Sequence, residues 1–341
     1  MGVNIKDILI KHPITLEELS GKTLAVDAFN MLYQFLTTIR APDGSYLTDS
    51  KGRITSHLIG LFNRTTALLQ KGIRLVFVFD GEPPALKHQE IARRAGIKQE
   101  AEKSYEKAAA AEDVESMKKF AARMTKLSDD MVGDAKKLLQ LLGIPVVQAP
   151  SEGEAQCAFL VKQGDAWAVA SQDYDALLSG TPRLVQNLSI VGRRKKIHGM
   201  GTIAVSPELA DLKENLEALG INQEQLILLA MLVGTDYNPG GIKGIGPKTA
   251  LQLVKEHKSK EQLFSAAAWE EHVAVSWKEV LATLEHIPVT KHYHVKQGIL
   301  DTKGIMQFLV EEHNFSPERV QKALEGIATQ PQRQKGLGEF L

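Results

Sequence analysis

"IRLVFVFDGEPP", residues 73–84, is a run of branched and aromatic residues stopped by an aspartate. Nothing polar interrupts Leu75 to Phe79. Such a run suits a strand covered by helices on both faces, as in a parallel sheet. Asp80 ends it, and Gly81, Pro83 and Pro84 supply the turn. Three other stretches repeat the pattern. "KTLAVDAFN" (22–30) reaches Asp27, "IPVVQAP" (144–150) leads into Glu152 and Glu154, and "DAWAVASQDYDALL" (165–178) runs to Asp173 and Asp175. Helical patterns lie between them, at 56–70 and 131–142. Strands alternating with helices give an α/β fold with a mainly parallel central sheet flanked by helices. Ligands of such sheets sit beyond the carboxyl ends of the strands, where these acids fall.

The chain has 341 residues, 43% of them hydrophobic, enough for one large domain or two modest ones. Acidic and basic residues balance at 41 each, so a polyanionic partner must be met by local basic patches. Cys157 is the single cysteine, which excludes internal disulfides and a cysteine-built zinc site and suits a reducing compartment. The opening "MGVNIKDILI" carries no signal peptide, and Lys6 stands where N-myristoylation after Gly2 requires Ser or Thr. No stretch approaches the ~20 apolar residues of a membrane span. The expectation is an intracellular protein, with no membrane partner, monomeric when alone.

Residues 149–160, "APSEGEAQCAFL", open a helix with two glutamates around a glycine. Ser151 and Glu154 have capping-box spacing, and negative charge suits a helix N-terminus. Glycine inside a helix costs about 1 kcal/mol relative to alanine, so Gly153 needs another reason. It would let the backbone approach a metal or substrate closely. Glu154 is open to capping, to metal ligation, or to both.

Asp27, Asp80, Glu152, Glu154, Asp173, Asp175 and Asp236 form the candidate metal set. Two unit charges about 4 Å apart repel by roughly 4 kcal/mol at an effective dielectric of about 20. A fold that gathers so many carboxylates needs a cation. All-oxygen sites suit Mg²⁺, with Mn²⁺ as a substitute. Two such ions can activate a water and stabilise the leaving oxygen in phosphodiester hydrolysis.

Residues 85–127 are rich in Ala, Glu, Lys and Arg but poor in large apolar residues. Gly96 is expected to break them near the start, leaving two helices, either a solvated hairpin or a projection from the body. "GGIKGIGPKTA" (240–250) fails as a P-loop, because Pro247 replaces the required lysine and a helix precedes it. It fits a helix-hairpin-helix. Gly244 and Gly246 would free backbone N–H groups for a DNA phosphate, and Lys243 and Lys248 add charge. Lys87, Arg93 and Arg94 follow Asp80 closely. "GRRKKIHG" (192–199) holds four positive charges, either a solvated face or a substrate contact.

Together "VDAFNMLYQFL", "FVFDGEPPALK", "APSEGEAQCA", "ASQDYDALL", "LVGTDYNPGGIKGIGPKTA" and "QKGLGEFL" resemble, in order over nearly the whole chain, the flap endonuclease branch of the structure-specific 5′ nucleases. The resemblance implies metal-dependent cutting of DNA at junctions bearing a 5′ flap, with 5′-3′ exonuclease activity, in replication and repair. It carries the metal role onto all seven acids, with Asp80 and Glu152 also counted as catalytic. It places basic catalytic residues at Lys87 and Arg94, and a base-stacking aromatic at Tyr33, which could equally be core. Gly2 joins the DNA-contacting set. The implied organisation is an N-terminal nuclease region (1–98) and a helical arch (85–127) threaded by the flap. An internal nuclease region (116–258) follows, with the helix-hairpin-helix at about 226–256, then a C-terminal helical region (259–330). The tail, 331–341, is expected to bind the replication sliding clamp (PCNA) through Gln334, Leu337, Phe340 and Leu341. Phe340-Leu341 replaces the usual aromatic pair, and the chain stops there, so an archaeal-type, cytoplasmic member is expected.

Overall fold

The computed structural model describes residues 2–111, 113–188, 192–195 and 202–328, and for 109, 114, 118, 122, 123, 192–195, 202–204 and 328 the backbone alone. The four strand-like runs became neighbours in one sheet. In chain order the strands are β1 (His12–Pro13), β2 (Thr23–Asp27), β3 (Arg74–Phe79), β4 (Val146–Gln148), β5 (Ala168–Ala170), β6 (Arg183–Gln186), β7 (Gly192–Lys195), β8 (Thr202–Val205) and β9 (Glu208–Asp211). The sheet order is β1-β9-β6-β5-β2-β3-β4. Strands β6, β5, β2, β3 and β4 run parallel, while β9 pairs antiparallel with β6 and β1 antiparallel with β9. The chain lays β3 and β4 to one side of β2, then crosses to lay β5 and β6 on the other. That reversal at β2 opens the crevice in which doubly wound sheets bind ligands.

The alternation of β3 divides the core. Val76 and Val78 face one apolar layer, with Cys157, Leu160 and helix residues 226–232. Leu75, Phe77 and Phe79 face the other, with Leu32, Phe35, Leu58 and Phe62. Both faces are covered, which is why these strands carry no polar alternation. In chain order the helices up to residue 256 are α1 (Ala28–Thr38), α2 (Ser56–Leu69), α3 (His88–Ala110), α4 (Val114–Arg123), α5 (Asp129–Leu141), α6 (Gly153–Lys162), α7 (Asp175–Leu178), α8 (Leu212–Leu219), α9 (Gln223–Val233) and α10 (Pro247–Glu256). Cys157 is buried in α6, a core residue.

Helices α3 and α4 make their main contacts with each other, closing on Ala101, Ala108 and Ala121 instead of on large apolar side chains. Gly96 does not break the segment: α3 runs through it. The break comes after residue 110, where Asp113 caps α4 by accepting from Ser116 N at 3.0 Å. A glycine with open space around it simply weakens a helix without ending it.

Helices α9 and α10 pack together across the turn that holds the glycines, over 223–256. Beyond them the chain is less helical than its sequence suggests. After Trp277–Glu285, residues 287–300 form neither helix nor strand and are tied to the body by Gly298 N donating to Gly143 O at 2.7 Å and Gln297 Nε2 to Leu75 O at 3.0 Å. The chain then closes with Thr302–Ile305, π-helical turns at Met306–Glu312, and Pro317–Ala328. Strands β7 and β8 pair as an antiparallel hairpin that carries Arg193, Arg194 and Lys195. Lys196 and the residues expected to bind the clamp, Gln334, Leu337, Phe340 and Leu341, lie outside the described residues.

Candidate active site

The carboxyl ends of β2, β3, β4 and β5 deliver acids to one place. Asp27 closes β2 and caps α1, its Oδ1 accepting from Asn30 N at 3.0 Å. Asp80 follows β3, and its Oδ1 accepts from Gly153 N at 2.7 Å. Glu152 sits at the N-cap of α6, with Glu154 in its first turn. Asp173 Oδ2 accepts from Asn30 Nδ2 at 2.9 Å, and Asp175 Oδ1 from Val3 N at 2.8 Å. Asp236 arrives from the turn after α9 and lines the same cleft as Glu152, Glu154 and Asp175.

Two local readings change, and Gly2 gains a neighbour. The capping box does not form: Ser151 Oγ donates to Glu82 O at 2.8 Å, and Glu154 Oε1 accepts from Ser171 Oγ at 2.8 Å. Gly153 does give close approach, but to a carboxylate: a β-carbon there would stand 2.4 Å from Asp80 Oδ1. Gly2 is held likewise, since its β-carbon would meet both Asp175 carboxylate oxygens at 2.6 Å.

Burial and mutual repulsion dominate the electrostatics. Burial, then Asp80, pushes Asp27 up to about 8. Burial, then Glu152, lifts Asp80 to about 6. Burial, followed by Asp173 and Asp236, lifts Asp175 to about 6 against the opposing Val3 N–H. Glu154 is raised by burial and by Asp175, Asp27 and Asp173. Carboxylates in this state favour a proton or a cation. Among the described residues, no three of them converge on one point as a closed cage. The donor set itself is all-oxygen and anionic, the chemistry of a hard divalent cation, and it lacks nitrogen or sulfur donors.

Two cations of the chain reach into the cluster. Lys87, ending a short 3₁₀ turn, places Nζ 2.5 Å from Glu152 Oε2 and 3.2 Å from Asp236 Oδ2. Burial works against its charge, but Glu152 and Asp236 outweigh it, so its pKa rises. Arg94, on α3, places Nη2 2.5 Å from Asp236 Oδ1. Its Nε donates to Glu90 Oε1 at 2.6 Å, and Glu90, 3% exposed, also accepts twice from Arg93. Glu90 thus fixes both arginines, a role the sequence reading missed. Its (i, i+3) and (i, i+4) spacing to Arg93 and Arg94 was the available signal.

Tyr33 is half-buried on α1, with Lys98 Nζ 5.3 Å from its ring centre, so it lies beside the middle of α3. None of the four residues singled out in the glycine turn lines the cleft that holds Glu152, Glu154, Asp175 and Asp236. Lys243, Gly244, Gly246 and Lys248 are all exposed there. Gly244 has φ +88°, and Gly246 caps α10 ahead of Pro247, leaving backbone N–H groups free of side-chain caps. An open groove is lined by Gly2, Lys6 and Asp173, by Arg93 near the start of α3, and by Asp236 and Gly240 at the entry to the glycine turn.

A doubly wound sheet with buried acids at its carboxyl edge, basic residues facing them and a helix-hairpin-helix define a nuclease of the XPG type. Residues 1–101 match the XPG N-terminal domain and 143–236 the XPG I-region. The chain belongs to the flap endonuclease 1 family. It is 51% identical to flap endonuclease 1 of Hyperthermus butylicus over 330 residues, covering 96% of this chain and 94% of that protein. The solved flap endonuclease-1 from Methanococcus jannaschii superposes with a TM-score of 0.75 at 43% identity, covering 96% of this chain and 98% of that one. Human GEN1 in complex with Holliday junction DNA matches with a TM-score of 0.69 at 25% identity, over 96% of this chain and 77% of that one.

Proposed function

We propose that this 5′-flap nuclease of DNA replication and repair works with two divalent cations, Mg²⁺ or in its place Mn²⁺, held by Asp27, Asp80, Glu152, Glu154, Asp173, Asp175 and Asp236. One observation supports it above the others: acids from four strand ends, Asp27 buried and the rest half-buried, are gathered together and face Lys87 and Arg94. Bound there, divalent cations supply a water activated for attack and charge neutralisation at the leaving oxygen.

The chain's own residues do the rest. Lys87 and Arg94 leave Glu152 and Asp236 to meet the charge that develops on the scissile phosphate. Glu90 keeps Arg94 aimed. Tyr33 stacks on the base next to the cut, and Gly2 keeps the N-terminal segment against Asp175. The helices α3 and α4 form the arch that takes the single strand. Backbone N–H groups around Gly244 and Gly246, with Lys243 and Lys248, grip duplex phosphates without reading sequence. The tail docks on the sliding clamp through Gln334, Leu337, Phe340 and Leu341.

The test is a cleavage panel of 5′-flap, 3′-flap, nicked and single-stranded DNA, with Mg²⁺ and with EDTA, repeated with the clamp for a chain lacking 334–341. Cutting of the 5′ flap with Mg²⁺, and loss of clamp stimulation alone in the shortened chain, is expected. Cleavage in EDTA, or undiminished clamp stimulation, would overturn the metal or the tail assignment respectively.

A further inference from the structure

We propose that two neutral side chains, Asn30 and Ser171, are positioning residues that lock the metal-holding carboxylates into one arrangement. Asn30 lies in the first turn of α1. Its Nδ2 donates to Asp173 Oδ2 at 2.9 Å, while its Oδ1 accepts from Gln172 N at 3.2 Å. Its backbone N caps back onto Asp27. One residue therefore joins the acid that ends β2 to the acid that follows β5.

Ser171 does the same for a second set. It is 5% exposed. Its Oγ lies 2.8 Å from Glu154 Oε1 and 3.5 Å from Asp27 Oδ2, and it accepts from Asp173 N at 3.2 Å. A hydroxyl has one proton to give and lone pairs to receive. Here the proton goes to a carboxylate and a lone pair fixes the loop that carries Asp173. Asp27, Glu154 and Asp173 are thereby cross-linked through Asn30 and Ser171, without either residue carrying charge. Partners that orient metal-holding groups are worth roughly ten- to a hundred-fold in metal affinity. A neutral cross-link is the economical choice, because a cation would compete with the metal and a further acid would add repulsion.

The inference rests on the reading of the cluster as a cation site, and the experiment separates the two. Mn²⁺ is titrated into the full chain without DNA, free Mn²⁺ being followed by electron paramagnetic resonance. The proteins are wild type, Ser171→Ala, Ser171→Thr, Asn30→Ala and Asp175→Asn. Ser171→Ala and Asn30→Ala should each weaken Mn²⁺ binding by roughly ten- to a hundred-fold. Ser171→Thr keeps the hydroxyl and should bind within about threefold of wild type. In single-turnover cleavage the loss should appear as a higher half-saturating Mn²⁺ concentration, with the rate recovered at saturation. Metal-free binding of flap DNA, unchanged in the Ser171 and Asn30 variants and at or above the wild-type level in Asp175→Asn, shows that each is folded. The backbone cap on Asp27 survives in Asn30→Ala, which keeps that arm independent of Ser171. Wild-type Mn²⁺ affinity in both Ser171→Ala and Asn30→Ala, with weakened binding in Asp175→Asn, overturns the positioning role alone. Wild-type affinity in Asp175→Asn as well overturns the cation-site reading and this proposal with it. Weakened binding in Ser171→Thr equal to that in Ser171→Ala would also contradict the hydroxyl's role.

Discussion

Gly153→Ala asks whether the absent side chain at the start of α6 sets the position of Asp80. The new β-carbon would stand 2.4 Å from Asp80 Oδ1, where an ordinary contact is about 3.4 Å. Asp80 must therefore retreat by about 1 Å, and its 2.7 Å hydrogen bond from Gly153 N is strained or lost. Misplacing a reacting group by about 1 Å can cost about 10²-fold, or about 2.7 kcal/mol of transition-state stabilisation. The fold is expected to tolerate the change. Position 153 is already helical, so alanine contributes up to about 1 kcal/mol of helix propensity, which offsets the roughly 1 kcal/mol lost with the hydrogen bond. Gly96→Ala is the matched control, since Gly96 also lies in a helix but has nothing near its β-carbon position. The assay is single-turnover cleavage of a 5′ flap at saturating Mg²⁺, with denaturant unfolding of each variant. Gly153→Ala should lose about two orders of magnitude in rate at near wild-type stability, and Gly96→Ala should lose none. A Gly153→Ala rate close to wild type would refute the reasoning that the glycine exists to seat Asp80.

Three further outcomes follow from the same geometry. Arg94→Ala should slow single-turnover cleavage by roughly two to three orders of magnitude, as for other preorganised donors, and a loss confined to DNA affinity would reassign Arg94 to simple phosphate binding. Gly246→Val should weaken binding about equally on flaps of unrelated sequence, with a shallower salt dependence, whereas a sequence-selective loss would contradict backbone-only contact. His57 is buried with no hydrogen-bond partner on either ring nitrogen among the described residues, and burial, then the charge of His313, lowers its pKa to about 4 from an ordinary 6.5. Unfolded chains bind the extra proton, so this contribution is present above pH 6.5 and is lost as pH falls toward 4. Wild type should lose about 3 kcal/mol by this route, and denaturant unfolding at pH 7 and 4.5 should show a smaller loss in His57→Leu.

The sheet was legible because its strands are buried on both faces. "LVFVF" has no polar interruption to confuse its period, and Asp27, Asp80, Asp173 and Asp175 mark where the runs end. The glycine turn was legible because Gly244 needs a positive φ and Pro247 suits the first position of a helix. Other features depend on contacts between residues distant in sequence, which no local pattern carries. Gly153 answers to Asp80, Gly2 to Asp175, and Ser171 to Glu154. The capping box failed for that reason: local spacing favoured Ser151 with Glu154, but a tertiary hydroxyl took the carboxylate. Strands β1 and β9 were missed because each is short and lies at the antiparallel edge, β1 exposed and β9 mostly half-buried, where an apolar run is not required. The stretch at 287–300 was read as helical because the helices around it are, while its own hold on the body is through backbone groups at Gly298 and Gly143.

The central claim is that acids delivered by successive strand ends act as one unit that cuts DNA. Asp175→Asn tests it most directly, because the substitution preserves size, removes the charge and leaves an oxygen to accept from Val3 N. Single-turnover cleavage of a 5′ flap with Mg²⁺ should fall by at least about 10³-fold, as when a group that stabilises transition-state charge is removed, while flap-DNA binding in the absence of metal stays at or above the wild-type level. Cleavage by Asp175→Asn at near wild-type rate would contradict the account.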